Sequence, residues 1–184
     1  LQPKFNELDY AAAQGSTEHL QTTLQWGSWP SPDMTAAQNN GDLERHWQEF
    51  QRREAYAYTV LHPSGAPCIG CVYLNPDKSQ PRGLRMAYWV TADQLQTGLD
   101  EHLVATVLDT IAASWPVDSV TITHPVQNPR GIAILERSRA SEDHDHDRGD
   151  HPESGTHDPK RVGILDSRHA ADVDTEQSGQ QAKR

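Results

Sequence analysis

Three short runs of β-forming residues, packed into one stretch, constrain this chain more than any other feature. Residues 53–90 read REAYAYTVLHPSGAPCIGCVYLNP and then, after a polar gap, end on RMAYWV. Val, Tyr, Thr and Ile fill the runs, and such side chains suit a pleated surface. Residues 62–67 hold two Pro, one Gly and one Ser, which break the first run and return the chain. Residues 75–82 do the same after the second. Tyr56, Tyr58 and Val60 share one face of the first strand. Val72 and Leu74 share a face of the second, with Ile69 and Tyr73 opposite. Apolar side chains on both faces predict a sheet covered on both sides.

Helical patterns flank these strands. Residues 8–24 form a weak helix candidate interrupted at Gly15 and Ser16. Thr35 and Gln38 have capping-box spacing, so a helix is expected from there to about Arg53. Its apolar stripe is Leu43, Trp47 and Phe50. The clearest helical stripe is Leu99, Leu103, Val104, Val107, Leu108 and Ile111, and Pro116 blocks its continuation. Residues 117–123 read as a strand. Asn128-Pro129 then looks like an N-cap with Pro at the first helical position, opening a short helix that fades by Arg139.

Composition divides the chain. All Trp, Tyr and Phe residues lie at or before Trp115. Residues 1–140 carry 15 acidic and 10 basic side chains, and residues 141–184 carry 11 and 6. The second segment thus holds half of the net charge of −10 and shows no apolar period, with residues 162–165 its only apolar island. It is expected to be a disordered acidic, His-rich tail over residues 139–184, following one domain over residues 1–138. The acidic balance argues against nucleic acid as a partner. No apolar run is long enough for a membrane span, and no signal-peptide pattern opens the chain.

Two patterns invite a metal reading. Cys68 and Cys71 form a C-x-x-C inside CIGCVYL, a predicted strand. Residues i and i+3 of a regular strand point to opposite faces, so the thiols are expected to diverge and to share neither a metal nor a disulfide. Reduced thiols suit a cytoplasmic location. The run Asp143-His-Asp-His-Asp147 offers ligands for loose metal binding, but no defined site is expected where nothing holds them in place.

The order helix, helix, three-strand meander, helix, strand, helix resembles the GNAT family of acyl-CoA N-acyltransferases. The matching wording is Asp9-Tyr-Ala-Ala, Trp29-Pro, the hairpin through Cys68 and Pro76, Tyr88-Trp-Val90, and NPRGIAILE from Asn128. The resemblance implies an α/β fold whose mixed, mostly antiparallel sheet is flanked by helices. The family's first strand and last two strands are not recognised in this chain. It further implies acetyl-CoA as acyl donor and a small-molecule or peptide amine as acceptor. In the family the donor lies where the last meander strand meets the next helix. Carried over, that places it beside Trp89 and Val90, against the N–H groups of Thr97, Gly98 and Leu99, and near Asn128.

Three departures accompany the resemblance. The family's Q/R-x-x-G-x-G/A loop is LQTGLD at 95–100, where only Gly98 matches. Asp100 and Glu101 set two carboxylates in the first helical turn, which suits the helix dipole and opposes an anionic ligand. The position of the family's acid Tyr is Leu135, and the usual Gly-Phe near Arg139 and Ala140 is missing. Glu54, His62 and His124 are candidate bases at strand ends, and none is assigned a catalytic role. A non-catalytic binding module with a degenerate cofactor loop therefore stays open beside the enzyme. With so few strands, exposed edges leave strand exchange into a homodimer open as well.

Overall fold

A computed structural model describes residues 1–146 and 163–166. The expected helix over residues 8–24 forms as two, α1 (Asn6–Gly15) and α2 (Thr17–Leu24), broken at Ser16. The capping box forms as its spacing predicts. The Gln38 N–H donates to Thr35 Oγ1 at 3.2 Å, and the Thr35 N–H donates to Gln38 Oε1 at 2.8 Å. It opens α3 (Ala36–Arg52), which ends where Arg53 turns left-handed at φ +59°.

The meander is β1 (Tyr56–Leu61), β2 (Cys68–Asp77) and β3 (Gly83–Val90), antiparallel throughout. α4 (Leu99–Ser114) leads to β4 (Ser119–Ile122), which lies parallel to β3. α5 (Pro129–His146) leads to β5 (Gly163–Asp166), parallel to β4. The mixed sheet therefore runs β1-β2-β3-β4-β5, with the longer pairings antiparallel.

Helices cover both faces of the sheet. On one face Val72, Leu74, Met86, Val120 and Ile122 pack against α4 and α5 through Val104, Ile111, Ile134 and Leu135. On the other, Ala57, Cys71 and Trp89 meet Ala12 of α1, Leu20 of α2 and Leu43 of α3. Each such aliphatic side chain contributes roughly 1.5–3 kcal/mol on burial.

Three sequence expectations are corrected. First, α5 does not fade by Arg139 but runs to His146. Once a helix is nucleated, each further residue adds one backbone bond without needing an apolar stripe. Second, the apolar island of the acidic segment is strand β5, so part of the expected tail is ordered against β4. A four-residue strand paired with a partner over forty residues away leaves no periodic signal. The rest of that tail lies outside the described residues. Third, the two cysteines do not diverge. Leu61 pairs with Cys68 while Val60 pairs with Gly70, so Ile69 is an extra residue in a β-bulge. One extra residue inverts the alternation and turns Cys68 onto the face of Cys71.

Candidate functional site

Strands β3 and β4 part company halfway along. Residues 83–86 pair with 119–122, and there β4 ends while β3 continues to Val90. Among the described residues no strand continues beside residues 87–90 on that side. The chain after β4 turns through residues 123–128 into α5, and a cleft of about 180 Å³ opens in the gap. Its walls are β3 at Tyr88–Val90, α2 at His19 and Thr23, the start of α5, and Leu95 with Asp100.

A directed chain of hydrogen bonds crosses this cleft. Asn128 caps α5, its Oδ1 accepting from the Gly131 N–H at 2.9 Å. That bond fixes the orientation of the amide, since only its oxygen can accept. The Nδ2 group therefore faces His124 Nδ1, 3.3 Å away, and donates to it. An accepting Nδ1 leaves the proton of the neutral imidazole on Nε2, which lies 3.3 Å from the Tyr88 hydroxyl oxygen. Nε2–H donates to that oxygen, and the Tyr88 proton can point elsewhere. Burial raises the Tyr88 pKa, with the Asp100 charge adding to it, so the phenol keeps its proton. Gly131 makes the chain possible. A Cβ there would stand 2.8 Å from the His124 ring and from Asn128 Nδ2, so any other residue would push the imidazole off α5.

The acidic start of α4 is neutralised. Asp100 is buried and bound on both oxygens by Arg130, whose Nη2 donates to Oδ1 at 2.8 Å. Burial alone would push the Asp100 carboxyl up, but the Arg130 bonds and charge outweigh it and hold the pKa below the usual value. The same Arg130 Nη2 donates to the Leu95 carbonyl at 2.7 Å, tying the loop to α5. Glu101 is paired by Arg137 at 2.7 and 3.0 Å. The two carboxylates that a linear reading sets against an anion thus each carry a guanidinium from α5. Next to them Gly98 takes φ +74° as the N-cap of α4, a left-handed conformation that favours glycine. The structure therefore suits a cofactor with a peptide-like arm and a pyrophosphate. Open β3 backbone lies along the cleft, and a helix N-terminus with a compensating Arg stands at its end.

The sequence candidates are sorted by this geometry. Trp89, Val90 and Asn128 line the cleft, while Thr97, Gly98 and Leu99 stand outside its lining at the start of α4. The Trp89 ring is core, donating to the Tyr73 hydroxyl at 3.3 Å and packing on Trp29. His124 is in the cleft. Glu54 pairs with Arg52 on the surface, and His62 bonds Ser64 in the β1–β2 turn, so neither reaches it. Leu135 is buried in the α4/α5 core and donates nothing. Sequence reasoning missed the Tyr88 hydroxyl, Arg130, and His19 on α2, whose pKa is lowered mainly by burial. The adjacent Asn-Pro-Arg was visible, but the partners of Arg130 lie 30 or more residues away.

A meander that splays from its parallel neighbour beside a helix N-terminus defines a mixed α/β fold with a cleft at the parting. Residues 4–141 match the acetyltransferase (GNAT) domain profile, so the chain belongs to the GNAT acetyltransferase family. The coenzyme A complex of RimL, the ribosomal L7/L12 alpha-N-protein acetyltransferase, superposes with TM-score 0.65 at 14% identity, covering 74% of this chain and 75% of RimL. The ribosomal-protein-S5-alanine acetyltransferase of Vibrio fischeri gives 0.64 at 12%, with 74% of each chain covered. The microcin C7 self-immunity acetyltransferase MccE, solved with acetyl-CoA and AMP, gives 0.63 at 16%, covering 73% and 72%. No curated protein sequence matches the chain.

Proposed function

We propose that this chain transfers an acetyl or related acyl group from acyl-CoA to a primary amine in the β3/β4 cleft. The observation that carries the reading is the parting of β3 from β4 at residues 86 and 122, beside a neutralised α4 N-terminus. Acyl-CoA, when bound, supplies a thioester carbonyl activated for attack. Val90 and the β3 backbone take the arm of the donor, and the Gly98–Leu99 turn with Arg130 takes its phosphates. His19, kept neutral by burial, accepts the proton that the amine loses. As the C–N bond forms and the C–S bond breaks, Tyr88 gives its proton to the departing sulfur. His124 and Asn128 position Tyr88 through the directed hydrogen bonds. These roles replace the family's helix tyrosine, whose position here is Leu135.

Acceptor chemistry follows from the relatives in outline only. RimL acts on a ribosomal protein N-terminus, and a spermidine N-acetyltransferase chimera superposes at TM-score 0.53. We take the acceptor to be a peptide or small-molecule amine. No helix among the described residues is long and apolar enough to cross a membrane. We take the setting to be cytoplasmic because Cys68 and Cys71 are free thiols. The acetyltransferase domain spans residues 1–138 in this reading, with an acidic extension after it.

Two measurements test the proposal. Isothermal titration with acetyl-CoA should show micromolar binding, tightening several-fold in Asp100→Ala, which frees Arg130 for the phosphates. No heat from either folded protein would favour a binding module without acyl-CoA chemistry. With an acceptor in hand, Tyr88→Phe should lower kcat about 10²-fold or more while leaving acetyl-CoA affinity intact. An unchanged kcat would remove Tyr88 from the mechanism.

A further inference from the structure

The β-bulge at Ile69 has a chemical result. With Cys68 turned onto the α1 side of the sheet, its thiol joins that of Cys71 and the carboxylate of Asp9. One ligand atom from each lies within 4.8 Å of the others, and all three residues are buried. No other such cluster occurs among the described residues.

The surroundings orient these groups toward one point. Cys71 Sγ lies 3.2 Å from Asp9 Oδ1, while Asn39 Nδ2 donates to Oδ2 at 3.0 Å and also to Asn6 Oδ1 at 3.1 Å. One carboxylate oxygen is thus fixed from behind by an amide, as outer partners fix metal-ligating carboxylates. The other faces the thiols. The Tyr73 hydroxyl also reaches the Cys71 thiol and borders the cluster. Leu20, Leu43 and Trp89 close the shell in apolar side chains.

We propose that Asp9, Cys68 and Cys71 form a binding site for a thiophilic divalent cation of the zinc class. Two sulfurs and one oxygen select zinc or cadmium over magnesium or calcium, which take oxygen ligands. Binding releases both thiol protons, so two thiolates and one carboxylate surround the cation. All three ligands are buried and none of them lines the cleft, which suits a structural role in which a further small ligand completes the four. It ties α1 to β2, and α1 leads directly into α2, the cleft wall that carries His19.

The test is titration of the reduced full chain with Co²⁺, followed by near-ultraviolet absorption. One equivalent should produce the sulfur-to-cobalt charge-transfer band, and Zn²⁺ should displace it. Cys68→Ser and Cys71→Ser should abolish the band, and Asp9→Asn should weaken binding by about tenfold or more. Circular dichroism identifies any variant that fails to fold, and Cys68→Ala, which removes the sulfur without burying a hydroxyl, then serves in its place. Co²⁺ uptake without the thiolate band, unchanged in Cys68→Ala, would assign binding to the C-terminal histidines and overturn the proposal. No uptake at all would overturn it equally.

Discussion

The two faces of the sheet are built on different chemistry. The face under α4 and α5 is aliphatic, with Val104, Val120 and Ile122 wholly excluded from solvent. The face under α1, α2 and α3 buries Asp9, Asn39, two thiols and Trp89, with the partly buried rings of Trp26, Trp29 and Tyr73 packed against them. The first face is held by non-directional burial, which tolerates exchange of similar volumes. The second depends on hydrogen bonds that must all be made, because a buried polar group without a partner costs more than the bond returns. The cleft lies at the splayed end of β3, where Tyr88 belongs to the aliphatic face and Trp89 to the polar one. The contrast locates stability on one side and specific geometry on the other.

Truncating the aliphatic face should produce the larger loss. Ile111→Ala opens a cavity between α4 and the sheet and should cost about 2–5 kcal/mol in urea unfolding. Asn39→Ala removes the amide behind Asp9 and should cost roughly 1–3 kcal/mol. It should also weaken the thiolate-metal site, a change that Ile111→Ala should not make. If both variants lose the same stability and neither alters metal uptake, the two faces do not differ as described.

A pH series sharpens the comparison further and reads the smallest effect. On the α3 side His46 is partly buried against Tyr73 and paired with Glu49, and its pKa is lowered to about 4, chiefly by desolvation with Arg45 adding to it. The unfolded chain therefore binds more protons than the folded one below about pH 6.5. This group's contribution to stability is fully present above that value and is lost as pH falls toward about 4. His46→Gln should flatten the dependence of the urea midpoint over that window. An unaltered slope would place the acid sensitivity elsewhere, with His19, whose pKa burial also lowers, the next group to examine.

How far the chain could be read without its fold differs along its length. The meander, the α3 capping box and the α4 stripe were legible because each is set by neighbours in sequence. Turn residues fix φ, a hydroxyl reaches three residues on, and apolar positions recur at a local period. Asn128 was legible as a cap for the same reason. Its second task, orienting His124, was not, because it depends on where β4 releases the chain. Arg130 stood in plain view two residues on, yet nothing local joins it to Asp100 across 30 residues.

By itself the amino-acid sequence determined the α/β layout, the order of elements with α1 and α2 read as one interrupted helix, and a resemblance that the family match bears out. These depend on local propensity and period. The tertiary structure alone decided three things. It turned C-x-x-C from divergent to convergent through one bulged residue. It paired the two acidic residues in the first turn of α4 with arginines from α5, and it aligned Tyr88, His124 and Asn128 into one directed chain. Each depends on a pairing between separate elements, and the side-chain alternation and charge of a single segment carry no information about its eventual neighbour.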